Sequence, residues 1–386
     1  MATLLLQSEF PKLAYGIDDV RAVGKRLAQP ITDFESMTSA DRQQVYDVFA
    51  VANSWRNSHV YPMRSVHQSV SHRMRTLGSS GFTAARPKRM ASIRRKLATT
   101  TLHLDQIQDI AGCRAVLDNI DGAHKLVANI REEFPHHVRR EFPYIEKPKE
   151  DGYRSHHFAL DFTPNGKTDG RRVELQIRTR LQHSWATAVE AVGLFLGQDL
   201  KHHRADADWL RLFQLMSAEF ARVENCPVPP NMPDRHDCIV ELRDLNKKIG
   251  AASLLEDIKT LTHYAENYIF AKGRYYVIRY HSDHTVQVES FDNPMQASSL
   301  LGGIEGQIEY GKDDSKVVLV EVDKVDKLVE AYPSYFGDVS LFVRNLNQLC
   351  LGKDAIEYSM APQKLVAPRQ QEKPDMSAIR RRYTKW

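Results

Sequence analysis

Arg171-Arg-Val-Glu-Leu-Gln-Ile-Arg178, followed by Thr179, alternates with a strict period of two. Val173, Leu175 and Ile177 are apolar, and Arg172, Glu174, Gln176 and Arg178 stand between them. That period belongs to a β-strand, whose successive side chains point to opposite faces. The apolar set is expected in a core and the polar set along the other face. There a carboxylate, Glu174, is flanked by guanidinium groups. Such a row is either a solvated salt-bridge ladder or a surface that holds a divalent metal and a polyphosphate together.

Three other blocks favour the second possibility. Asp109-Ile-Ala-Gly-Cys-Arg114 is a short apolar strand with a carboxylate at its head. Arg86-Pro-Lys-Arg-Met-Ala-Ser92-Ile-Arg-Arg-Lys96 is densely basic. Gly152-Tyr153-Arg-Ser155-His156-His157 lies between these and Glu174, and a helix with Gln182-His183-Ser184-Trp185-Ala186 follows. In this order the blocks resemble the RelA/SpoT nucleotidyltransferase family. The patterns resembled are R-x-K-x-x-x-S-x-x-x-K, D-x-A-G-x-R, G-Y-R-S-x-H, V-E-x-Q-I-R-T and Q-H-x-W-A. The resemblance covers roughly the first two-thirds of the chain.

The resemblance implies transfer of pyrophosphate from ATP to a ribose hydroxyl, leaving AMP. It assigns Asp109 and Glu174 as the catalytic carboxylates and the Mg²⁺ ligands. Glu174 would also orient or deprotonate the attacking hydroxyl. Arg86, Lys88, Lys96 and Arg114 would grip the ATP phosphates. On the acceptor side stand Tyr153, which would stack on the acceptor base, and His157, Gln176 and Arg178. Arg114 and Arg178 could instead pair with a carboxylate, and His157 could orient Tyr153. His183 is a second-rank candidate, and Trp185 is expected to pack with Val189 and Val192. Bifunctional members carry a preceding hydrolase domain with a His-Asp metal motif. No such pair with metal partners is found here, and little chain precedes Arg86, so product hydrolysis is not expected.

Alarmone synthetases of the family continue W-A-x-x-E-H, whereas this chain reads Trp185-Ala-Thr-Ala-Val-Glu190. That form is similar to the toxic small members that modify tRNA. Tyr332-Pro-Ser-Tyr335 further downstream resembles the Y-x-x-Y motif of the CapRel fused toxin–antitoxin proteins. In that group the second domain looks like a zinc finger without metal ligands. Its tyrosines, here Tyr332 and Tyr335, block the nucleotide site. A phage protein such as a capsid protein releases it, and the enzyme then pyrophosphorylates the 3′ end of tRNA and stops translation. The alternative is a synthetase of guanosine or adenosine polyphosphates with a sensory C-terminal domain.

The chain has 386 residues, 42% hydrophobic and 26% charged, ordinary for a globular protein with two or three cores. No stretch approaches the ~20 apolar residues that span a bilayer. The opening Met-Ala-Thr-Leu-Leu-Leu-Gln-Ser-Glu makes a poor signal peptide, so the cytoplasm is expected. The four cysteines form no C-x-x-C pair, which argues against a disulfide scaffold or a thiolate zinc site. No P-loop pattern is present. The net charge of +4 is unremarkable, but no Asp or Glu occurs between Asp47 and Asp105. That stretch carries Arg56, Arg64, Arg73, Arg75, Arg86, Lys88, Arg89, Arg94, Arg95 and Lys96. The surplus over what ATP needs favours a nucleic acid, unless acids elsewhere in the fold balance it.

The expected fold class is α+β: a mixed β-sheet flanked by helices, plus a small C-terminal α+β domain. Residues 17 to 80 are mostly helical in pattern. Strands are expected near 109–117, 156–162 and 172–178, and later at 275–280, 285–291 and 317–322. Pro164-Asn-Gly166 and Asp169-Gly170 join two of the strands. Four prolines in Cys226–Pro233 mark a linker. The organisation expected is a synthetase domain at 1–225, a linker and helical connector at 226–270, a regulatory domain at 271–350, and a basic tail at 351–386.

Overall fold

The computed structural model describes residues 10–31, 34–195, 207–261, 263–264, 273–283, 285–322 and 339–356. The alternating stretch forms strand β5 (Arg172–Thr179), and Val173, Leu175 and Ile177 are fully buried on one side of it. Two strands hold it in place. β2 (Ala111–Leu117) runs parallel to it, and β4 (His156–Asp161) runs antiparallel. β1 (Gly81–Pro87) extends the sheet beyond β2, and β3 (His137–Pro143) forms the edge beyond β4. The expected α+β mixture is therefore present, with parallel and antiparallel pairs in one sheet.

Helices α1 (Ile17–Leu27), α2 (Ser39–Asn57) and α3 (Val60–Thr76) occupy the N-terminal stretch, as its periodicity predicts. α3 and α5 (Ile120–Glu133) pack Met63, Val66, Val70, Leu126 and Ile130 onto the apolar face of the sheet. Helix α4 (Met90–Thr99) leaves β1 through the basic block. α6 (Arg180–Phe195) continues directly from β5. It joins α7 (Ala207–Val223), α8 (Arg235–Ile249) and α9 (Ala251–Leu261) in a second apolar cluster, in which Trp185, Val189 and Val192 all sit.

β1, β3 and helix α10 (Pro294–Glu309) were not expected. β1 is Ala-rich, starts after Gly78-Ser-Ser-Gly81 and ends in Pro87, so no alternation announces it. Its ladder partners on both sides make it a strand. β3 is a charged, half-exposed edge that pairs only with β4.

Residues 271–350 do not keep to themselves. β7 (Tyr275–Tyr280), β8 (Thr285–Phe291) and β9 (Lys316–Val322) form where expected, but β9 pairs with β1. With β6 (His263–Tyr264) they complete a nine-stranded sheet in the order β3-β4-β5-β2-β1-β9-β7-β8-β6. Helix α11 (Ser340–Cys350) packs instead among α6, α7, α8 and α9, with Phe342 against Phe213 and Phe220. Two buried ion pairs cross the β1–β9 junction: Arg56–Glu305 at 2.5 Å and Arg64–Glu321 at 2.8 Å.

The acid-free stretch is thus balanced from elsewhere for much of its charge. Arg56 and Arg64 take the carboxylates just named, Arg94 takes Glu309, and Lys88 and Lys96 share Asp109. Arg73 donates to the Glu133 carbonyl at 2.7 Å. Charge counted along a sequence cannot see partners more than two hundred residues away. Among the described residues no helix is long and apolar enough to cross a membrane. Tyr332, Tyr335 and the tail from residue 357 onward lie outside the described residues.

Candidate active site

The polar face of β5 looks into a cleft of about 660 Å³. Its floor is the sheet: Ala84 and Arg86 from β1, Gly112 and Arg114 from β2, His157 from β4, and Glu174, Gln176 and Arg178 from β5. Register explains the grouping. Arg86 pairs with Gly112, Gly112 lies level with Glu174, and His157 is opposite Gln176. Gly112 adds no side chain beside Glu174, so the floor stays low there. One wall is α4 with Ser92, Arg95 and Lys96. The other is the aromatic and apolar surface of α6 and α7, with Trp185, Val189, Leu210 and Phe213.

All ten residues proposed from sequence for catalysis, ATP and acceptor line this cleft: Arg86, Lys88, Lys96, Asp109, Arg114, Tyr153, His157, Glu174, Gln176 and Arg178. His183 does not; it is buried against Phe82. Sequence reasoning missed Lys149, Asp151, Leu210 and Phe213, which lie outside the motif blocks. Counting Arg86, Lys88, Arg89, Arg95, Lys96, Arg114, Lys149 and Arg178, the lining has eight cations. Against them stand four carboxylates: Asp109, Asp151, Glu174 and Glu190. The surplus suits a polyphosphate.

Asp109 is held by two ammonium groups, Lys88 Nζ at 2.7 Å and Lys96 Nζ at 2.9 Å, one on each oxygen. Glu174 accepts from His157 Nδ1 at 3.2 Å and from Gln176 Nε2 at 2.7 Å. Burial alone would raise the Glu174 pKa. The bonds from His157 and Gln176 and the charge of Lys88 outweigh it, and the value falls to about 2. Burial also lowers the pKa of His157, which is thus held neutral. With Nδ1–H given to Glu174, its Nε2 is left to accept the Tyr153 hydroxyl at 2.8 Å. Arg178 Nη2 donates to the same Tyr153 oxygen at 2.5 Å and to Gln176 Oε1 at 2.9 Å. The chain Arg178–Tyr153–His157–Glu174 therefore has a donor and an acceptor at every link.

Tyr153 is positioned by its neighbours in sequence. Gly152 has φ +91°, and a Cβ there would stand 3.2 Å from both Gln214 Cα and Ser217 Cβ on α7. Ser217 Oγ donates to the Gly152 carbonyl at 2.5 Å. Behind the loop, buried Arg154 pairs with Glu224 at 2.8 Å. The Tyr153 ring faces Lys149 Nζ at 5.2 Å and the Arg178 guanidinium at 5.2 Å.

Among the described residues no group of three or more His, Cys, Asp and Glu is placed to hold a metal. The donor chemistry does fit Mg²⁺ bound together with a nucleotide. That ion takes one or two carboxylates and fills its shell with water and phosphate oxygens. Asp109 and Glu174 are the two hard donors available at the floor of the cleft.

Residues 85–194 match a family model described as a region found in RelA / SpoT proteins. That stretch carries the RelA/SpoT region.

Other proteins are similar to parts of this chain. A GTP pyrophosphokinase of Escherichia coli K12 is 27% identical over 165 residues, covering 40% of this chain and 22% of that protein. A chloroplastic GTP diphosphokinase, CRSH1, of Oryza sativa subsp. japonica is 24% identical over 283 residues, covering 66% and 45%. This chain therefore spans less than half the length of either. The small alarmone synthetase 1 of Bacillus subtilis, solved with its product pppGpp, shares 22% identity. It covers 44% of this chain and 93% of its own, with a TM-score of 0.38.

Proposed function

We propose that the RelA/SpoT-type domain makes this chain an ATP-dependent pyrophosphokinase. The observation that carries this is the cleft itself: the carboxylates of Glu174 and Asp109 in one lining with eight cationic side chains. The acceptor hydroxyl oxygen attacks the β-phosphorus of ATP, and the bond from that phosphorus to the α,β-bridging oxygen breaks. AMP leaves, and the hydroxyl proton passes to Glu174 or to water. Such transfer needs alignment and positive charge more than covalent chemistry. Arg86, Lys88, Lys96 and Arg114 supply charge on the donor side. The triphosphate draws Lys88 and Lys96 away from Asp109 and leaves the Asp109 oxygens open as ligands. A Mg²⁺ ion held by Asp109 and Glu174 would neutralise charge on the phosphates. Tyr153, once released from His157, offers a ring face to the acceptor base, with Gln176 and Arg178 beside it.

The acceptor we propose is the 3′ end of tRNA, so that activity inhibits translation. Support comes from the wall of the cleft. Where the alarmone synthetases of the family carry Glu-His, α6 presents Val189 and Glu190. The α6 and α7 side of that wall, with Trp185, Leu210 and Phe213, is apolar, which suits a stacked base recognised by its face. In this reading the C-terminal part restrains the enzyme through Tyr332 and Tyr335 until a phage protein releases it. That part rests on the resemblance of the Y-x-x-Y motif alone. ATP labelled at the β and γ positions tests the acceptor, with deacylated tRNA, GDP, GTP and ADP offered in parallel. Label is expected in tRNA, weakening as salt rises because phosphate contacts release counterions. Label in guanine or adenine nucleotides with none in tRNA would favour an alarmone synthetase instead.

A further inference from the structure

Helix α4 carries one wall of the cleft, yet it lacks a cap of its own. Its N-cap residue, Arg89, makes no side-chain cap bond, and its first turn holds no acid. The first N–H groups of a helix have no partner within it, and its positive end favours a carboxylate. The carboxylate comes from α10. Glu305 Oε1 accepts the buried Met90 N–H at 2.8 Å. Its other oxygen takes Arg56 Nη1 at 2.5 Å. Arg56 is fully buried and also reaches the Lys88 carbonyl at 3.4 Å and Asn53 Oδ1 at 2.8 Å. One turn further along α10, Glu309 pairs with Arg94 of α4.

Two carboxylates of α10 thus hold α4 from behind, while Ser92, Arg95 and Lys96 face the cleft. Glu305 also fixes, through Arg56, the backbone at Lys88. Of these contacts, the one from Arg56 to the Lys88 carbonyl reaches a residue of the cleft lining.

We propose that Glu305 is a positioning residue, through which α10 fixes the segment Lys88–Lys96 in the geometry that grips the donor phosphates. Docking of the β7–β9 sheet extension is then a condition for nucleotide binding, not only a means of blocking it. This rests on the donor-binding role proposed above for Lys88 and Lys96.

A pair of double variants separates positioning from bulk stability. Arg56→Met with Glu305→Gln keeps an acceptor for the Met90 N–H and leaves no buried charge unpaired. Arg56→Met with Glu305→Leu removes that acceptor as well. Thermal melts establish that both fold. Amide hydrogen exchange over residues 88–96 and calorimetric binding of α,β-methylene-ATP with Mg²⁺ are then compared. The Gln pair keeps the Met90 cap and loses, of the contacts to Lys88–Lys96, only that from Arg56 to the Lys88 carbonyl, so a smaller loss than in the Leu pair is expected. The Leu pair should exchange faster and bind the analogue about tenfold more weakly, a mid-range effect for an orphaned buried donor. Equal exchange and equal binding in the two pairs would overturn the proposal. If exchange differs but wild type does not bind the analogue, the clamp stands and the donor-site reading falls. Should the Leu pair not fold, Arg94→Met with Glu309→Met loosens the same helix from its other contact. A loss of about threefold is expected there, and unchanged exchange and binding would again overturn the proposal.

Discussion

Glu174 keeps its charge in surroundings that by themselves would remove it. Against the burial that would raise its pKa, His157, through its hydrogen bond and, when protonated, its charge, does most of the holding, with the Gln176 amide and the charge of Lys88 behind it. Glu174→Gln retains the shape but loses the charge that would bind metal and orient the attacking hydroxyl. Transfer should fall by about 10²–10³-fold or more in a variant that still folds, with the melting temperature at neutral pH lowered by loss of the held charge. Wild-type transfer in this variant would make Glu174 a structural residue. The same carboxylate predicts a pH effect on stability, measured in chelator so that no metal contributes. Its folded pKa, about 2, lies below its ordinary 4.5. The ionised form therefore stabilises the fold fully above the ordinary value, and that contribution is lost as pH falls through about 2. Wild type should lose more melting temperature than Glu174→Gln between about pH 5 and about pH 2. Parallel losses would mean that the carboxylate is not held ionised by its neighbours.

At the scale of elements, the loop Glu150–Ser155 shows how a tyrosine is aimed by what lies next to it. Gly152 needs its positive φ, and α7 leaves no room for a side chain. Gly152→Ala should displace Tyr153 and cost about 1–3 kcal/mol of stability. Acceptor KM should rise more than ATP KM if Tyr153 has the acceptor-stacking role proposed for it. Equal changes in both would place the loop's role in the fold alone. The glycine was legible in the sequence as part of a motif, but its reason, the approach of Gln214 and Ser217, was not. The same division runs through the sheet. β5 could be read because one face is buried and the other polar, so its alternation is complete. β1 could not, because its residues are small and its strand status depends on β2 and β9. The site residues were legible for another reason. Their motif blocks, through the family resemblance, named Asp109, Glu174 and Lys96, and the turn before β2, strand β5 and helix α4 bring them to one cleft. Lys149 and Leu210 reach the same cleft from a loop and from α7, where no local pattern marks them.

For the whole molecule, the least legible feature is that the C-terminal strands extend the synthetase sheet. Val317–Val322 reads as a strand, but nothing in it names β1 as a partner. Arg56 and Arg64 looked like contributors to a basic surface, and both are buried against Glu305 and Glu321. Ending the chain at residue 261 would strip both of partners and open the β1 edge. Removing one partner of a buried pair costs about 3–5 kcal/mol, and an open edge invites association. The shortened chain is expected to be recovered aggregated or unfolded; a soluble monomer with the full-length melting temperature would refute this.

A different outcome is expected when the C-terminal part is kept and only its proposed plug is altered. Tyr332 and Tyr335 are two rings separated by Pro333 and Ser334, and rings can lie on a nucleotide pocket or against arginine side chains. Tethering gives such a segment a roughly millimolar effective concentration, enough for a weak contact to compete with ATP. Holding the site to about 1% of full activity needs only ~2.7 kcal/mol of preference for the closed state. Tyr332→Ala with Tyr335→Ala should therefore raise basal transfer, or make expression toxic, while the α10 clamp and the β1–β9 pairing remain. The decisive comparison is a thermal melt beside the activity assay. Higher activity at an unchanged melting temperature assigns the rings to restraint. Unchanged activity with a lower melting temperature makes them core residues, and the C-terminal part is then a brace for α4 with no plug.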